Sequence, residues 1–147
     1  MTEVNKADFD SILNTQMDGI EKPKPLVQGK YRAIVRTFKY VKSPEKGTPG
    51  AEVTFKILNP IETEDDAAAN LFDYSDREVR QTYWLTKDAL HRAKEFLEEH
   101  CKIHGSGRLI GEVFNDVTNA EVGVVLVHNK SKKNDEIYAN VQTTFAL

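Results

Sequence analysis

The sequence predicts one mainly β domain behind an N-terminal arm: five strands, with a single helix between the third and fourth. Three observations predict it. Five runs between residues 30 and 145 read with a period of two. The stretch 87–103 keeps the clearest helical period. Clusters of Pro, Gly, Ser, Asn and Asp separate these runs.

Residues 1–28 read as the arm and 29–147 as the domain. Within the arm, "ADFDSILNTQMD" (7–18) has helical spacing through Phe9, Ile12, Leu13 and Met17. "GIEKPKPLVQG" follows as a linker, extended before Pro23 and Pro25. Strand one is expected at 30–42. "SPEKGTPG" is a turn-rich loop, and strand two runs over 51–58 until Asn59-Pro60 ends it. Val53, Phe55 and Ile57 share one face of that strand. Residues 60–75 are acidic and Ala-rich, a loop with room for one helical turn. Strand three spans 77–85, with Val79, Tyr83 and Leu85 on one face and Arg80, Thr82 and Trp84 on the other.

The helix follows at 87–103. Thr86 is suited to cap it, and Leu85 with Leu90 has the spacing of a hydrophobic staple. Ala89, Leu90, Ala93, Phe96, Leu97 and Cys101 form its apolar stripe. Strand four is expected at 119–128 and strand five at 136–145, joined by "NKSKKND". In strand five Ile137, Ala139, Val141 and Phe145 point one way; Tyr138, Asn140, Gln142 and Thr144 point the other. The order β-β-β-α-β-β is that of the five-stranded OB barrel, a partly open fold that binds oligonucleotides or sugars. An α+β meander has the same order.

Length and composition fit one soluble domain: 147 residues, 39% hydrophobic and 29% charged. No apolar run approaches the ~18 residues of a membrane span. The opening "MTEVNKADFD" lacks the apolar core of a secretory signal. Cys101 is the single cysteine, so no intrachain disulfide forms, and a reducing compartment such as the cytoplasm is expected. The net charge of −3 hides segregation. Residues 20–48 hold eight Lys/Arg against two Glu; residues 60–78 hold seven Asp/Glu against one Arg. A local basic field attracts a polyanion whatever the net charge. The alternative is that the basic stretch folds back on the acidic one.

Motifs for chemistry are missing. There is no phosphate loop, GxGxxG, HExxH, paired CxxC or GxSxG. His100, Cys101 and His104 come nearest to a metal set, but they fall where the helix should end and have no second ligand pair. The acids of 62–76 do not match a calcium loop. No enzyme, metal or cofactor is expected.

What remains is strand one. One parity carries Lys30, Arg32, Ile34, Arg36, Phe38, Tyr40 and Lys42. Single-stranded nucleic acid needs cations for its phosphates and rings for its bases, and this face offers both. Lys56 on strand two, Arg80 and Trp84 on strand three, Tyr138 on strand five, and Lys130, Lys132 and Lys133 in the hairpin extend it. Each has a plainer reading. A bulge in strand one would turn Phe38 and Tyr40 into the core. Trp84 reads first as core at the barrel end, Tyr138 as ordinary surface, and the lysine loop as a solvated turn.

With these pieces placed, the chain resembles the small phage-encoded single-stranded DNA-binding proteins with OB-folds. The resemblance rests on "GKYRAIV", "AEVTFKILNP", "YWLTKDALHRAKEFLEEH" and "LIGEVFNDVTNAEVGVVLVHNKSKKNDEIYANVQ", spanning about 29–142. It implies coating of single strands in DNA replication or recombination in the host cytoplasm, with phage replication proteins as partners. Many such proteins end in an acidic tail; this chain ends "NVQTTFAL". The arm or the acidic 60–78 loop would then take the partner-binding role. The competing class is an assembly adaptor without nucleic acid, self-associating head to tail as a homo-oligomer.

Overall fold

In the computed structural model, residues 13, 14, 16, 17, 24–133 and 136–147 are described. The elements are β1 (Gly29–Lys42), β2 (Pro49–Thr63), α1 (Asp66–Ala69), β3 (Glu78–Trp84), α2 (Leu90–Glu95), α3 (Ile110–Asn115), β4 (Glu121–Lys130) and β5 (Ile137–Phe145). A π-helical turn, Phe96–His100, continues α2. All pairings are antiparallel, in the order β3-β2-β1-β4-β5. This is the strand order of an OB-like barrel, left open between β3 and β5. No helix among the described residues is long and apolar enough to cross a membrane.

Alternation builds the core. Tyr31, Ala33 and Val35 of β1, and Ala51, Val53, Phe55 and Ile57 of β2, are fully buried. Val122, Val124 and Leu126 of β4 face them, and Phe96, Leu97, Val113 and Phe114 close the interior from the helical side. Tyr83 of β3 stacks on Phe96 with ring centroids 4.5 Å apart. Leu26 is also buried, and His128 Nε2 lies 2.7 Å from its carbonyl, so the chain is packed from about residue 26. The helix expected at 7–18 lies mostly outside the described residues; Leu13 and Met17 are exposed.

Three expectations need correction. First, β2 does not stop at Asn59-Pro60 but runs to Thr63. Pairing with β3 reaches no further than Lys56, so Pro60 has β1 on one side alone and owes β3 no donor. A register shift opposite Lys30 and Tyr31 accommodates it. Second, the helix starts at Leu90, not 87. Ala89 is the cap residue and gives no side-chain bond. The Thr86 carbonyl accepts from Ala89 and Leu90, so a tight turn replaces the first helical turn, and Leu90 stays exposed. Third, "LIGEVFNDV" is not all transition. It holds α3, which buries Val113 and Phe114. Arg108 braces it, donating to the His104 carbonyl at 2.9 Å and pairing with Asp116. The three nearby glycines hide this helix in the sequence.

Three acids of the acidic segment are engaged locally. The Asp65 carboxylate accepts from Ala68 N–H and caps α1. Asp66 accepts from both the backbone and the hydroxyl of Thr63. Asp73 does the same for Ser75.

Candidate nucleic-acid interface

Strand β1 changes parity halfway. Val35 pairs with Phe55 and Thr37 with Thr54, so Arg36 is the extra residue of a bulge. Before it the odd residues point inward; after it the even ones do. Phe38 faces the row of buried Val53, and Tyr40 that of Ala51. Both rings therefore leave the Arg32 face. Phe38 packs on Phe114 with centroids 5.7 Å apart, and Tyr40 lies 6.4 Å from the same ring. Tyr40 is 57% exposed, but at the rim of the inner face beside α3.

The same bulge brings Lys39 outward, opposite Glu52. The outer side of β1–β2–β3 is now a ladder of cross-strand neighbours. Ile34, Lys56 and Glu78 form one rung, and Lys39, Glu52 and Thr82 another. Val41, Gly50 and Trp84 form the last. Arg80 projects between, opposite Thr54. Lys30 and Arg32 continue the row at the β4 side of β1. Six cations thus stand along this strip: Lys30, Arg32, Arg36, Lys39, Lys56 and Arg80.

Four carboxylates stand among them, one of them Glu62, opposite Lys30. Arg36 Nη1 lies 3.1 Å from Glu78 Oε2, and Arg32 Nε 3.6 Å from Glu121 Oε1. A single oxygen, Glu52 Oε1, lies 3.7 Å from Lys39 Nζ and 3.8 Å from Arg80 Nε. Six cations against four carboxylates leave the strip positive. These pairs are exposed and hold the cations in place weakly. The basic stretch meets the acidic 60–78 segment in part: Glu78 pairs with Arg36 and Glu62 stands opposite Lys30, while Glu52 and Glu121 lie outside that segment.

Rings mark both ends of the strip. Trp84 is on the outer face at 38% exposure, not in the core. Its ring covers Gly50: a β-carbon there would meet Trp84 Cε3 at 2.9 Å. Trp84 also walls a groove of about 530 Å³ with Ser43, Pro44, Glu45, Lys46 and Thr48 of the β1–β2 connection. At the other end stands Phe145, which the alternation of β5 assigned to the face of Val141. A shift between Val125 and Leu126 turns it outward, opposite Gly123. Lys30 Nζ lies 5.8 Å above its centroid. The buried pair Val141 and Thr144, three residues apart, is the trace of this shift.

The remaining expected residues lie elsewhere. Tyr138 is on the outer side of β5 at 45% exposure, its hydroxyl donating to Glu136 at 2.6 Å. Lys130 ends β4, and Lys132 and Lys133 are exposed in the turn beyond it. Lys39 and Phe145 were missed by sequence reading, because both depend on a bulge that no single strand reveals.

The open seam between β3 and β5 is lined by Gln81, Tyr83, Gln142 and Thr144. His100 closes one end, its Nδ1 2.6 Å from Thr144 Oγ1 and its Nε2 3.6 Å from Glu95 Oε1. Among the described residues the grouping with metal-ligand reach is Glu95, Glu99 and His100, not His100 with Cys101 and His104. It consists of exposed carboxylates around a histidine that is already bonded.

No family model and no curated protein matches the chain. Among solved structures, "Yeast RPA bound to ssDNA" matches over 99% of this chain and 88% of that one, with a TM-score of 0.36 and 9% identity. At those values the likeness carries no argument about site or function.

Proposed function

We propose that this protein binds single-stranded DNA with little sequence preference. One observation carries the reading: a strip of six cations across β1, β2 and β3, flanked by the outward rings Trp84 and Phe145. Cations follow the phosphates, and each base stacked on a ring contributes about 1–3 kcal/mol regardless of sequence. Arg32, Arg36, Lys39, Lys56 and Arg80 serve the backbone; Trp84 and Phe145 serve bases. Lys130, Lys132 and Lys133 lie on the β4–β5 connection and extend the contact. Phe38 and Tyr40 shape the rim beside α3.

The finer part of the reading is a role in DNA replication or recombination, with the strand held without catalysis. Phage origin and replication-protein partners rest on the sequence resemblance. The test is fluorescence anisotropy with a labelled strand of about 30 nucleotides, against duplex of equal length, at several salt concentrations. Micromolar or tighter binding to the single strand is expected, with log K falling by about 0.7 per phosphate contact against log salt. No binding at low salt would overturn the reading and leave an adaptor surface, to be sought next in the solution mass.

A further inference from the structure

Glu52 is the least exposed carboxylate of the strip's ion pairs, at 24%. One of its oxygens sits between two cations from two different strands, 3.7 Å from Lys39 Nζ and 3.8 Å from Arg80 Nε. Both cations are far more exposed, at 70% and 66%. An anionic oxygen bridging a lysine and an arginine is also what a phosphodiester would supply. The neighbouring positions on this face of β2, Thr54 and Gly50, add no further charge, and Trp84 and Thr82 cover Gly50. Trp84 stands two residues from Thr82, the neighbour of Glu52 on β3, so a base on that ring would bring its phosphate to this rung.

We infer that Lys39, Arg80 and Glu52 form a single phosphate subsite in which Glu52 is a built-in competitor. This rests on the single-strand reading. Without ligand, the carboxylate holds the two cations over the sheet. With ligand, a phosphate oxygen takes its position and the glutamate takes up a counterion from solution. The carboxylate then lowers affinity at this rung and reduces the net release of counterions. The protein keeps a site that fills and empties readily, which suits a coat that other proteins must displace.

The experiment compares wild type with Glu52→Gln by anisotropy on the same labelled strand across a salt series. Glu52→Gln should bind about three- to tenfold more tightly, the scale of two surface ion pairs relieved. Its salt slope should steepen by up to about 0.7. Adding Lys39→Gln should cancel most of the gain. Wild-type binding with Glu52→Gln equal or weaker, at an unchanged melting temperature, would overturn this inference and leave the single-strand reading standing. No binding by either protein would overturn both. Should Glu52→Gln not fold, Glu52→Asp withdraws the charge from both cations, and a smaller gain in the same direction is expected; its absence counts equally against the subsite.

Discussion

The ring of Phe145 occupies the space that a side chain on Gly123 would need. A β-carbon on Gly123 would fall inside the van der Waals surface of that ring. The two residues are directly opposed across β4 and β5, so neither strand can move aside without breaking the ladder. Gly123→Ala should therefore displace Phe145 and cost about 1–3 kcal/mol. Thermal melts would show a drop of several degrees. Gly123→Ala combined with Phe145→Ala should recover part of the loss, and the double-mutant cycle reads the coupling. Strict additivity would mean that the ring does not rest on the glycine.

Trp84 and Gly50 repeat the arrangement at the other end of the strip. The indole covers a glycine on one side and is 38% exposed. It is the chain's single tryptophan, so its fluorescence reports this position alone. Adding single-stranded DNA should quench it. Trp84→Phe should retain most of the affinity, while Trp84→Ala should lose about 1–3 kcal/mol of binding with little change in salt slope. Quenching without loss of affinity in the alanine variant would make the ring a bystander.

The bulge at Arg36 assigns opposite roles to residues that the sequence places on one face. Arg36 is exposed beside Glu78, while Phe38 rests on Phe114. Arg36→Ala should weaken binding to all sequences alike and make the salt dependence shallower. Phe38→Ala should instead destabilise the fold by roughly 1–3 kcal/mol, since its ring is only partly buried. Denaturant melts alongside anisotropy separate the two effects. Loss of affinity by Phe38→Ala at unchanged stability would return that ring to the binding face.

The strands, their order and the inner faces of β1 and β2 were legible because alternation is local: Tyr31, Ala33 and Val35 need only the period of two. The candidate site was half legible. Arg32, Arg36, Lys56 and Arg80 lie where the alternation puts them. Phe38, Tyr40, Lys39 and Phe145 do not, since a bulge adds one residue against a partner strand and inverts everything beyond it. That count belongs to two strands together. The helix start failed for a related reason. Thr86 has the chemistry of a cap, but the backbone there makes a tight turn closed by its own carbonyl. Glycines around α3 masked a helix whose stability comes from burying Val113 and Phe114, not from propensity.

Cys101 offers a probe of the helical side of the core. Burial pushes its thiol up to about 12 from an ordinary value of 9.0. The reactive thiolate is therefore scarce in the native protein at pH 8. Iodoacetamide at that pH should modify the folded chain slowly and the urea-unfolded chain within minutes. The same shift sets a pH dependence. Above about pH 9 the unfolded chain releases the thiol proton while the folded one keeps it. The unfolded state then binds fewer protons, so stability falls as pH rises from 9 toward 12. Below pH 9 both states hold the proton and this group contributes no slope. Cys101→Ser should flatten its share of the alkaline decline, measured as melting temperature against pH from 8 to 11. Rapid native alkylation at pH 8 would show that the turn after Phe96–His100 opens far more readily than its packing implies.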